Sequence, residues 1–68
     1  MITCYDLLSK RKVLINPHCV ESVEFREDAT GNYAEIHLIG APFMIKVKEN
    51  AREIKEIKEF FEKIRGGQ

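Results

Sequence analysis

The sequence predicts an α+β fold: a single small domain in which a bent antiparallel sheet of about five strands is covered by one C-terminal amphipathic helix. Phe43, Ile45 and Val47 alternate with Met44, Lys46 and Lys48, which is the period of a strand with one buried face. At Asn50 the period changes, and the following apolar residues recur at helical spacing: Ile54, Ile57, Phe61 and Ile64. Asn50 suits a helix N-cap, with Glu53 three positions later as in a capping box.

Four further strand-like segments precede this step, so we expect strands at 2–8, 12–15, 21–26, 33–39 and 42–48, with Pro42 at the first position of the fifth. The connections are short: a polar turn at 9–11, Asn16-Pro17 with a helical turn at 18–20, a polar loop at 27–32, and Gly40-Ala41. Short connections favour antiparallel neighbours in one meander. Alternation predicts one apolar face, formed by Ile2, Cys4, Val13, Ile15, Val23, Phe25, Ala34, Ile36, Leu38, Phe43, Ile45 and Val47.

Length and charge limit the class of protein. Sixty-eight residues make one domain, strand-rich over 1–49 and helical over about 50–65, where Gly66-Gly67 is a stop signal. Eleven basic and eleven acidic residues cancel, so no global field directs the chain to nucleic acid or an anionic membrane. No apolar run approaches the ~20 residues of a membrane span, and the start lacks signal-peptide features, so we expect a cytoplasmic protein.

No arrangement of residues predicts chemistry. The potential zinc ligands Cys4, His18, Cys19 and His37 lack the spacing of paired ligands, and strand alternation puts Cys4 and His37 on opposite faces. No third group is positioned to orient a Cys/His pair for catalysis. We therefore expect no metal, no cofactor and no enzymatic activity, with Cys4 as a buried, reduced thiol.

Two kinds of contact surface remain open. Lys10, Arg11 and Lys12 form a basic hairpin, to which Lys46 and Lys48 would add if the fifth strand lies nearby. Because Glu24 and Glu35 should share the outer face with those two lysines, cross-strand ion pairing is favoured over phosphate binding. Phe60 lies at the edge of the helical stripe, and with Tyr5 and Tyr33 it forms the candidate interface.

The order of turns and core positions resembles the FlbD-type flagellar family of small bacterial proteins, which includes the swarming-motility (SwrD) proteins. The matching segments are Met1-Ile2, Leu7, Ile15-Asn16-Pro17, Val20-Glu21-Ser22-Val23-Glu24, Ile36-His37-Leu38-Ile39-Gly40 and Val47-Lys48-Glu49-Asn50. The resemblance implies a non-enzymatic cytoplasmic accessory protein that acts through protein contacts, in a motility-related or mobile-element-borne assembly.

Together these observations predict a small interaction protein that associates with itself, most simply as a dimer, and with a further protein partner. The alternative is a small nucleic-acid-binding module that uses the basic hairpin.

Overall fold

The computed structural model describes the backbone of residues 1–66 and the side chains through Ile64. The strands are β1 (Ile2–Asp6), β2 (Arg11–Ile15), β3 (Val20–Asp28), β4 (Gly31–Leu38) and β5 (Met44–Lys48), and the helix is α1 (Arg52–Gly66). This arrangement confirms the α+β class and the C-terminal helix. The strands form two antiparallel sheets, β1-β2 and β3-β4-β5, so the expected single five-stranded meander is not found.

The sheet divides after Asn16. The Asn16 side chain accepts a hydrogen bond from the His18 N–H at 3.0 Å, and Pro17–Cys19 forms a 3₁₀ turn, one residue earlier than predicted. This turn carries the chain away from β2, so β3 pairs with β4 alone. The two sheets still touch, because the Leu7 N–H donates to the Lys46 carbonyl at 2.7 Å.

Both hairpins end differently from the prediction, and an aspartate explains each difference. Asp6 accepts hydrogen bonds from the Leu8 N–H and the Ser9 hydroxyl, so β1 ends at Asp6 instead of continuing to residue 8. Asp28 accepts from the Thr30 N–H at 2.8 Å, and Gly31 adopts a φ of 123°. The predicted loop at 27–32 is therefore a two-residue turn between longer strands.

The core lies between the two sheets and α1, and most of the predicted apolar face is buried there. Its members are Ile2, Cys4, Ile15, Val20, Ala34, Ile36, Ile45, Val47 and Ile57. Phe25 and Phe43 were expected inside, yet each is 62% exposed. Phe43 precedes the first residue of β5 and so lies outside the sheet ladder. Phe25 does pair with Ala34, but it lies on the outermost strand of its sheet.

The helix begins at Arg52, so the predicted capping box at Asn50 and Glu53 is wrong. A turn after β5 joins the Ala51 N–H to the Lys48 carbonyl, and the Glu53 carboxylate instead accepts the Tyr5 N–H at 2.9 Å. Ile57 is buried, Ile54 and Phe61 are partly buried, and Ile64 is exposed. Gly67 of the predicted stop signal lies outside the described residues.

Among the described residues, no helix is both long and apolar enough to cross a membrane.

Candidate functional site

An apolar opening lies between β3 and α1, and we call it the β3–α1 groove. Val23 and Phe25 line it from β3, and Ile54, Ile57 and Phe61 line it from α1. Its polar members are Glu21, Ser22, Lys58 and Glu62, and its volume is about 460 Å³. Glu53 ties the start of α1 to β1, and apolar side chains at the far side of the sheet, such as Val23 and Phe61, are only partly buried.

The outer edge of β3 borders this groove and is unpaired. β3 is the first strand in the order β3-β4-β5, and within residues 1–66 no backbone hydrogen bond reaches its free side. Alternate residues of an edge strand direct their N–H and C=O groups outward, where another strand can bind them. At the opposite end of the sheet, Leu7 and the Asp6 side chain bond the backbone of Lys46 and occupy part of the β5 edge.

An ion-pair cluster covers the other face of this sheet. The Arg26 guanidinium contacts Glu24 and Glu35 at 2.9 Å each, and His37 Nε2 lies 3.2 Å from Glu24 and 3.1 Å from Glu35. Glu35 faces outward as predicted, but these neighbours leave it only 8% exposed. Burial raises the pKa of Glu35, whereas hydrogen bonds from His37 and Arg26 lower it, and the net result is a lowered pKa.

Glu24, Glu35 and His37 bring three potential metal-ligand atoms within 4.8 Å of one another. Arg26 already binds both carboxylates and so offsets one of their two negative charges. Of the four residues considered for zinc from the sequence, only His37 belongs to this cluster. Cys4 is fully buried and Cys19 is exposed, and both thiols are free. Burial, followed by the charges of Glu53 and Glu56, raises the pKa of Cys4 to about 11.

The candidate nucleic-acid residues divide into two groups. Lys10, Arg11 and Lys12 are exposed on the β1–β2 hairpin, and Lys48 is exposed on β5. The Lys46 backbone does adjoin β1, as the nucleic-acid interpretation requires. Its ammonium group, however, lies 3.0 Å from Asp28 and 4.1 Å from the centre of the Tyr33 ring. Lys46 is therefore engaged within the chain, but with Asp28 and not with the expected Glu24 or Glu35. Those two glutamates bind Arg26 instead.

The three candidate interface residues have different neighbours. Phe60 is partly buried, with its ring centre 4.8 Å from His18 and 5.6 Å from Phe61. Tyr33 lies under Lys46, and Tyr5 is 46% exposed on the face of β1 opposite Cys4. The sequence interpretation missed Phe25, because alternation assigned it to the core. Its position on a heavily charged strand is the one sequence signal that suggested an edge.

No family model, curated protein or solved structure matches the chain. The resemblance to the FlbD-type family therefore remains a prediction from the sequence.

Proposed function

We propose that this chain is a non-enzymatic interaction module that associates with a second copy of itself. The observation that carries the proposal is the β3–α1 groove, which opens beside the unpaired edge of β3. Phe25 is 62% exposed there, so a large aromatic surface faces solvent next to unsatisfied backbone groups. Burying such a surface is favourable by about 25 cal/mol per Å², and a domain of this size gains much from a second subunit.

The composition of the groove supports a binding role over catalysis. Five of its nine lining residues are apolar, and no histidine or cysteine is among the other four. The titratable side chains of the outer face, Glu24, Arg26, Glu35 and His37, are bound to each other. Ion pairs of this kind between neighbouring strands stabilise the sheet, so these four side chains have a structural role.

The setting of this module is a cytoplasmic assembly, with a further protein as the second partner. A place in a motility-related or mobile-element-borne assembly rests on the resemblance to the FlbD-type family alone.

The association state tests the proposal directly. Sedimentation velocity from about 1 to 300 µM spans the affinities expected for an interface of modest size. We expect a concentration-dependent mass that approaches twice the 7.9 kDa of one chain. A monomeric mass over the whole range would remove self-association from the account.

The alternative, nucleic-acid binding, is favoured by the exposed Lys10, Arg11 and Lys12 of the β1–β2 hairpin. Phosphate contacts would make binding to generic RNA or DNA weaken steeply with salt. If wild type shows such a salt-dependent shift and Arg11→Gln/Lys12→Gln reduces it, the hairpin is a nucleic-acid surface. If no shift appears at low salt, this alternative is excluded.

A further inference from the structure

We infer that the second copy binds along the free edge of β3, antiparallel to it, with the two-fold axis at Phe25. The two three-stranded sheets would then join into one continuous six-stranded sheet. This inference rests on the proposed self-association and deepens it by naming the surface, the partner and the register.

The shape of β3 supports this choice of axis. The strand is the longest in the protein, and a register irregularity between Val20 and Ser22 interrupts its pairing with β4. The regular part therefore extends from Ser22 to Asp28, and its midpoint is Phe25. A two-fold pair that uses this whole segment must place its axis at the midpoint, because each residue then meets its mirror position.

Charge supports the same axis independently. Residues directly opposite in an antiparallel pair lie on the same face, so the axis must pass through a residue and not between two residues. With the axis at Phe25, Glu24 of each copy faces Arg26 of the other, so each Arg26, already paired with Glu24 of its own chain, gains a second carboxylate across the axis. Moving the axis by one residue would place Glu24 against Glu24, or Arg26 against Arg26. Such like-charge contacts are unfavourable.

The apolar side of the sheet is complementary in the same register. Phe25 lines the β3–α1 groove, so both copies of Phe25 would meet on the axis, on the face that carries the two helices. The two grooves would open toward each other across this aromatic pair. The association would thus bury the exposed Phe25 surface and satisfy the backbone groups of the edge in one step.

Phe25→Lys is the first test, and Phe43→Lys is its matched control. Both phenylalanines are 62% exposed, so neither substitution removes a buried core side chain. Phe25→Lys places two ammonium groups at the axis and should weaken dimerisation at least about tenfold, a loss of ~1.4 kcal/mol. Phe43→Lys should stay within about twofold of wild type, as expected for a residue outside an interface. Circular dichroism verifies that each monomer is folded.

Disulfide trapping tests the register without altering Phe25. In a Cys19→Ser background, a Glu24→Cys chain is mixed with an Arg26→Cys chain of different mass under oxidised glutathione. With the axis at Phe25, the two cysteines face each other at a Cβ separation of about 5 Å, and the second ion pair is retained. We expect the mixed disulfide to form, and each chain alone to cross-link slowly.

Each outcome has one meaning. A monomeric wild type overturns both this inference and the proposed function. A dimeric wild type that Phe25→Lys leaves intact overturns the edge inference while self-association stands. Rapid cross-linking of the Glu24→Cys chain with itself overturns the register.

Discussion

The two sides of α1 differ in how completely the helix closes the core. On the β1 side, Cys4 is fully buried and the Glu53 carboxylate binds the Tyr5 N–H. Ile57, at the centre of the helical stripe, is 2% exposed. On the β3 side, Phe61 is only partly buried and Phe25 is 62% exposed. The helix therefore closes the core on the β1 side and leaves an open groove on the β3 side.

The difference shows what one helix can cover. An α-helix with its side chains is about 10 Å wide, whereas neighbouring strands lie about 4.8 Å apart, so one helix shields roughly two strands. The contact of Glu53 with β1 places the start of α1 over the β1 side. The uncovered remainder lies at an unpaired strand edge, which is where a small domain can gain most from a partner.

Alanine substitutions at residues that differ in burial, from the core to the open groove, should produce the largest changes in the free energy of unfolding. We expect Ile57→Ala to cost about 2–5 kcal/mol, because it removes a fully buried side chain. Phe61→Ala should cost less than Ile57→Ala, and Phe25→Ala less than about 1 kcal/mol in the monomer. Urea unfolding at low micromolar concentration measures all three. Equal costs for Ile57→Ala and Phe25→Ala would show that the two sides are closed alike.

The sequence predicts which side chains face the core. It does not predict which of those side chains the helix covers. The helical period identified Ile57 as the centre of the stripe, and alternation assigned Ile45 and Val47 to the buried face. Alternation also assigned Phe25 correctly to a face, since it pairs with Ala34. A period states which way a side chain points, yet says nothing about whether another element covers it there. That depends on a contact between Tyr5 and Glu53, residues 48 positions apart.

Removing the Glu53 contact should destabilise the fold less than Ile57→Ala does. It should nevertheless reduce the difference in closure between the two sides of α1. Glu53→Ala removes the carboxylate that accepts the Tyr5 N–H, and we expect a loss of about 1 kcal/mol, typical of one hydrogen bond. Glu59→Ala, at an exposed helical position beyond the first turn and outside the β3–α1 groove, is the control and should change stability by less than about 0.5 kcal/mol. If both variants unfold at the same urea concentration, the tie to β1 does not set the position of the helix.

Protonation of Asp28 at low pH should destabilise the sheet formed by β3, β4 and β5. Hydrogen bonds from the Thr30 side chain, Lys46 and the Thr30 backbone lower the pKa of Asp28 from 3.8 to about 2. Because the pKa of Asp28 is lower in the folded state than in the unfolded chain, its carboxylate stabilises the fold at any pH above the unfolded pKa of 3.8. This contribution to the free energy of unfolding is lost as the pH falls from about 4 to about 2. Unfolding of wild type should therefore become easier in this window. Asp28→Asn should show a flatter profile there, and an unchanged profile would contradict this assignment.

The reactivity of the two thiols measures how completely α1 covers the core, and this prediction involves almost no change in the free energy of unfolding. Cys19 is exposed, whereas Cys4 lies in the closed core beneath α1, where burial raises its pKa to about 11. Because the thiolate is the reactive form, an aromatic disulfide reagent at pH 8 should modify one thiol per chain quickly and the second slowly, unless denaturant is added. Cys19→Ser should remove the fast reaction, which assigns it.

The slow reaction of Cys4 then measures how often the covered side opens, since a buried thiol must become exposed before it can react. Its rate should rise in Glu53→Ala, which loosens the contact with β1, and stay unchanged in Phe25→Lys, which alters only the open side. A Cys4 reaction as fast as that of Cys19 would mean that the β1 side is not closed in solution, and the contrast between the two sides of the helix would fail.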